Sequence, residues 1–159
     1  MRKIEALLTE YGSSHQNMTN KFIHWICVPL IFFSIVGLLW SIPSTVLNDL
    51  FNSSSSYMNW GMVALVLLLF YYIRLSPTLA VGMSLFSALC LFAANTLSLV
   101  AFAPLWAICI AIFIVAWIGQ FYGHHVEGKK PSFLKDLQFL LVGPAWLMHF
   151  IYKKLGIPY

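Results

Sequence analysis

Phe22 to Trp40 is almost wholly apolar, and at 1.5 Å per helical residue it reaches roughly 28 Å, close to the ~30 Å hydrocarbon core of a bilayer. Three further runs behave similarly: Tyr57 to Ile73, Pro77 to Leu99 and Leu105 to Tyr122. Only 9% of the 159 residues are charged and 60% are hydrophobic, against about 25% charged in a soluble domain. The chain therefore reads as a single all-α integral membrane domain, residues 1–159, with four transmembrane helices. No internal repeat is visible.

The segments between the runs carry their own signals. Ile4, Leu7, Leu8 and Tyr11 recur at helical spacing before Gly12, which predicts a short N-terminal helix lying on the membrane surface. Glu5 and Glu10 interrupt that stretch, so no cleaved signal peptide is expected. Pro29 inside the first run predicts a kink or a packed neighbour. The Ser-rich connector after Trp40 reads as an external loop. In "RLSP" Ser76 is placed to cap the next helix, with Pro77 in its first turn. The last apolar core, Leu137 to Tyr152, is short and is interrupted by Gly143-Pro144. It predicts a re-entrant or interfacial pair of half-helices rather than a fifth span. Cys27, Cys90 and Cys109 all lie in apolar runs without CxxC spacing and read as small buried hydrophobes.

Charge fixes an orientation. If four helices span and the tail returns, every Lys and Arg, from Arg2 and Lys3 to Lys153 and Lys154, falls on one face. By the positive-inside rule both termini are then cytoplasmic. The basic excess is spent on topology, and no nucleic-acid partner is expected. All five histidines share that face: His15 and His24 at the entrance to the first run, His124 and His125 at the exit of the fourth, and His149 near the C-terminus. Asn20 and His24 share one helical face, as do Gln120 and His124, with Glu127 a turn later. Neutral imidazoles suit iron, zinc or copper, whereas magnesium and calcium prefer carboxylates that this chain mostly lacks. Any one histidine alone reads as an interfacial residue; their joint placement points to a transition-metal site. Asn20 and Gln120 serve equally well as helix-to-helix hydrogen bonds, and Glu127 as a solvated partner of Lys129 or Lys130.

Two motifs carry a resemblance. "YGSSHQNMTNKFIHWICVP" is similar to the Y-x3-H-x4-N-x3-H-x4-P opening of the 2-hydroxy fatty acid dioxygenases, and "QFYGHHVEGKKPS" resembles their Q-x2-GH-x2-E-x3-P motif. The resemblance extends over nearly the whole chain, and short bacterial-type members are the most similar. It implies an iron(II)-dependent membrane enzyme that shortens a long-chain 2-hydroxy fatty acid by one carbon with O2, an α-oxidation. His15, His24 and His124 fall on the family's histidine positions. The fourth ligand stays open among His149, His125 and Glu127, with His149 placed in the expected set.

On that reading Asn20, Gln120 and Glu127 support catalysis, and Lys129 and Lys130 attract the substrate carboxylate to the interface. The metal ion is Fe(2+), holding both reactants. A bacterial inner membrane is the expected location, and the oligomeric state is open. The alternatives are a b-type haem protein with two histidine axial ligands, and a non-catalytic membrane protein or small-molecule transporter. A histidine-rich di-iron hydroxylase would want more histidines and an HxxxH run.

Overall fold

A computed structural model describes residues 2–128 and 133–159, with backbone alone for 133–138. Among these residues every regular element is helical: α1 (Lys3–Ser13), α2 (Met18–Trp40), α3 (Thr45–Phe51), α4 (Trp60–Leu75), α5 (Pro77–Val100), α6 (Leu105–Glu127) and α7 (Phe133–Leu155). By length and apolarity α2, α5 and α6 suffice to cross a membrane.

The expected second span is shorter than the apolar run suggests. Asn59 starts α4 late because its side chain accepts the Met62 N–H at 3.1 Å, leaving Tyr57 outside the helix. The resulting 16 residues reach only about 24 Å. At the other end the turn forms as its residues dictate: Ser76 Oγ accepts the Leu79 N–H at 3.3 Å and Pro77 is the first residue of α5. The connector after α2 contains the short α3, closed by Asn52 in the left-handed region at φ 46°, which asparagine tolerates better than most residues.

α2 and α6 form the most extensive helix pair, and they run antiparallel. Gly37 lies against Cys109 and Leu105, Gly119 against Cys27, and Gly123 against Asn20. The start of α2 therefore meets the end of α6. Gly119 and Gly123 form a GxxxG step, and small residues at this spacing let helix backbones approach where lipid supplies no hydrophobic drive.

Two expectations are corrected by α7. The chain continues as one helix through Gly143 and Pro144 instead of dividing into half-helices. Pro144 lacks an N–H, but neighbours support the backbone there. Tyr72, 1% exposed, donates its hydroxyl to the Leu141 carbonyl at 2.6 Å, and Gly143 fits closely against Tyr11 and Val28. Pro29 of α2 and Pro144 line the same small apolar cavity, so each proline has packed neighbours. The second correction concerns α1, whose stripe of Ile4, Leu8 and Tyr11 is buried against Val142, Trp146 and Tyr152 of α7. α7, rather than lipid, covers that face. Arg2 donates to the Tyr159 carbonyl, which joins the two ends of the chain.

The three cysteines are buried and unpaired, and one of them tests the α2–α6 contact. A Cβ added at Gly37 would stand 2.3 Å from Cys109 Sγ. Gly37→Ala should therefore lower the thermal midpoint in detergent, with an overpacking cost of about 1–3 kcal/mol. Adding Cys109→Ala, which removes that sulfur, should recover most of the loss. Failure of the double variant to recover would show that the helices do not meet there.

Candidate metal centre

The loop between α1 and α2 holds His15 in a fixed position. Gln16 and Asn17 donate their backbone N–H groups to the two carboxylate oxygens of Glu127, at 2.7 and 2.9 Å. Asn20, completely buried, donates its side-chain amide to Glu127 Oε2 at 3.1 Å. Asn17 caps α2 by accepting from Thr19 and Asn20. One carboxylate at the end of α6 thereby pins the entrance of α2. Glu127 is half-buried and its oxygens are spent on these bonds, so it clamps the loop instead of facing the histidines.

His15, His24 and His124 converge, each buried. Their ring centroids are 4.3 Å apart for His15 and His24, 5.3 Å for His15 and His124, and 4.9 Å for His24 and His124. One ligand nitrogen from each lies within 4.8 Å of the others. Imidazole nitrogens on one ion at 2.0–2.1 Å stand at most about 4.2 Å apart, so sub-ångström ring movements bring all three onto a common centre.

Backbone carbonyls set the tautomers of the first two rings. His15 Nδ1 lies 2.6 Å from the Tyr11 carbonyl oxygen and His24 Nδ1 lies 2.9 Å from that of Asn20. A carbonyl only accepts, so each Nδ1 carries the proton and donates it, and each Nε2 keeps its lone pair. Both Nε2 atoms are buried and have no hydrogen-bond partner. Orphaned buried acceptors are costly unless something occupies them, and a metal ligand oriented by a carbonyl behind it is the usual resolution. Burial also lowers the His15 pKa below its ordinary value, although the Tyr11 carbonyl and the Glu127 charge oppose this. The ring is held as the neutral imidazole that a metal binds.

The space between the rings is a cavity of about 20 Å³, room for roughly one water-sized atom. Gln120 and Trp117 line it from α6, Val28 and Ile31 from α2, and Phe139 and Leu140 from α7. These donors and this volume fit a single transition-metal ion. A porphyrin has no room between rings packed at these distances.

The remaining candidates separate. His125 is exposed and lies outside the group of convergent ligand atoms. His149 also stays apart, contrary to expectation. α7 reaches the centre through Trp146, whose ring lies 5.4 Å from that of His15. His149 follows three residues later, about 4.5 Å along the helix, and contacts the Tyr159 hydroxyl. Lys129 and Lys130 lie outside the described residues. Sequence reasoning missed the aromatic wall around His15: Tyr11 stacks on it at 4.2 Å and 10°, Trp146 lies beside it, and Trp117 lines the adjoining cavity. The signal was present for Tyr11, which stands four residues before His15.

A family model described as 2-hydroxy-palmitic acid dioxygenase Mpo1-like matches residues 1–155. The chain belongs to this family. No curated protein and no solved structure matches it significantly. The name of the Mpo1-like family points to a dioxygenase, a fatty acid substrate and a membrane setting, and the buried histidine triad is a group that could hold a metal ion.

Glu127→Ala removes the clamp on His15 without touching a convergent nitrogen. It should weaken metal affinity by about 10–100-fold, the range for groups that orient ligands, whereas His125→Ala should leave it unchanged. Competition of the purified variants with a metal chelator measures both. Equal affinity in the two would refute the clamp.

Proposed function

We propose that this protein is an iron(II)-dependent membrane dioxygenase that shortens a 2-hydroxy fatty acid by one carbon. The observation that carries the reading is the pair of buried, partnerless Nε2 atoms of His15 and His24, facing His124 around a one-atom cavity in a member of the Mpo1-like family. A ferrous ion in that cavity would supply the redox chemistry with O2 and a coordination point for the substrate's hydroxyl and carboxylate.

The overall reaction balances with one O2 per 2-hydroxy acid. The C1–C2 bond breaks, the hydroxyl-bearing carbon becomes the new carboxyl carbon, C1 leaves as CO2, and O2 takes up all the electrons released, with water as the remaining product. The protein's residues divide the work. His15, His24 and His124 hold the ion. Asn20 and Glu127 keep His15 in register, and Gln120 offers its amide to substrate oxygens from the α6 wall. Lys129 and Lys130 draw the carboxylate to the membrane surface, where attraction of an anion to lysine is favourable. Neutral ligands leave the ion its full positive charge, which favours binding an anionic chelate.

Iron-loaded protein should consume O2 with 2-hydroxypalmitate and release CO2 and the acid one carbon shorter, as mass spectrometry would detect. His15→Ala, His24→Ala and His124→Ala should each abolish turnover, while His125→Ala and His149→Ala should retain much of it. Equal turnover of palmitate lacking the hydroxyl would refute chelation through that group.

The contact of Arg2 with Tyr159 and the basic residues near both ends support a membrane protein with both of these ends on the cytoplasmic side. With the native cysteines replaced, Tyr159→Cys should react with an impermeant thiol reagent from the cytoplasmic side only. Labelling from outside would overturn the orientation.

A further inference from the structure

The histidine cavity is far too small for a fatty acid, and a second space adjoins it. An apolar groove of about 380 Å³ lies between α2 and α4, closed on its third side by Leu140 and Leu141 of α7. Its volume falls within the roughly 300–1,000 Å³ of small-molecule sites. Leu140 lines both spaces, so they adjoin at its side chain.

α2 joins the two along one face. Val28 and Ile31 border the histidine cavity, and Ile35 and Leu39 continue the same stripe into the groove. Spacings of three and four residues keep these positions on one side of the helix. From Val28 to Leu39 the stripe covers about 16 Å, enough for much of an extended long-chain acyl group. The groove walls are almost entirely apolar, so they offer nothing to the polar head of a substrate. Leu67, at the edge of the groove, is 64% exposed, so the groove opens sideways toward the surroundings of the helices, where a membrane-dissolved acyl chain resides. The Leu141 carbonyl is held by Tyr72, which anchors the α7 wall of the groove to α4.

We propose that the α2–α4 groove binds the acyl chain of the substrate, with the carboxylate end passing Leu140 to reach the histidines. The inference rests on the dioxygenase reading for the identity of the head group. Leu140 then sets the boundary between a polar reaction chamber and an apolar tail site. Ala64 and Leu68 of α4, which line the groove, determine how many methylenes fit.

Ala64→Trp and, separately, Leu68→Trp fill the groove at a distance from the histidines. Each should shift the preference between 2-hydroxypalmitate and 2-hydroxydecanoate toward the shorter acid by at least about tenfold, the equivalent of roughly two methylenes displaced from an apolar site. Bound metal should stay unchanged. Independently of turnover, a 2-hydroxy acid with a terminal diazirine should photolabel α2 near Ile35 and Leu39 and α4 near Ala64 and Leu68. Excess 2-hydroxypalmitate should compete for that labelling, and phosphatidylcholine at equal concentration should not. An unchanged chain-length preference in folded, metal-loaded variants would overturn the proposal. So would labels scattered over the outer faces of α5 and α6, or equal competition by phosphatidylcholine, which would mark the groove as a lipid site. If the wild type turned over no 2-hydroxy acid yet the competed label fell in the groove, the reaction would be wrong and the tail site would stand.

Discussion

The Glu127 carboxylate is the contact on which the rest of the centre depends. Its two oxygens receive the backbone N–H groups of Gln16 and Asn17 and the amide of Asn20, tying the last turn of α6 to the first turn of α2. A backbone segment at the mouth of a helix has unsatisfied N–H groups, and here a carboxylate more than a hundred residues away satisfies them. The bonds hold the short loop in place, and the loop fixes where His15 stands. With that ring located, the antiparallel α2–α6 pair brings His24 and His124 to it. The same pairing needs the close approach at Gly119 and Gly123, so helix packing and the geometry of the centre are one constraint.

Much of this was legible in the residues. His15, His24 and His124 lie at the ends of apolar runs, where polar side chains need a purpose, and the alternation of those runs places them at one end of the bundle. Glu127 was legible as a participant but not as a clamp, because its partners are backbone N–H groups that carry no residue-type signal. His149 misled for the opposite reason. Its position near the basic C-terminus matched the other histidines, but Trp146 occupies the place facing the centre and His149 lies about one turn further along the same helix, a depth that proximity in sequence does not reveal.

The fold shows the same division. Apolar length identified α2, α5 and α6, and "RLSP" identified the turn before α5. Asn59 shortened α4 through a cap that an apolar count does not register. Gly143-Pro144 looked like a break because Pro removes a hydrogen bond; the chain continues as one helix among packed neighbours distant in sequence, Tyr72 bound to the adjacent Leu141 carbonyl and Tyr11 and Val28 against Gly143. The apolar stripe of α1 was equally ambiguous, since a membrane surface and a partner helix offer it the same burial. Only the arrival of α7 distinguishes the two.

That arrival also sets a time. α7 is synthesised after α1 to α6, yet it covers α1 and supplies Trp146, Phe139 and Leu140 to the wall around the histidines. Until it emerges, Ile4, Leu8 and Tyr11 lack most of the residues they pack against and the chamber is open on one side. The centre is therefore completed by α1 and α7 together, after the intervening helices have been made. Order of synthesis thus becomes order of assembly, with the histidine chamber closed by α7.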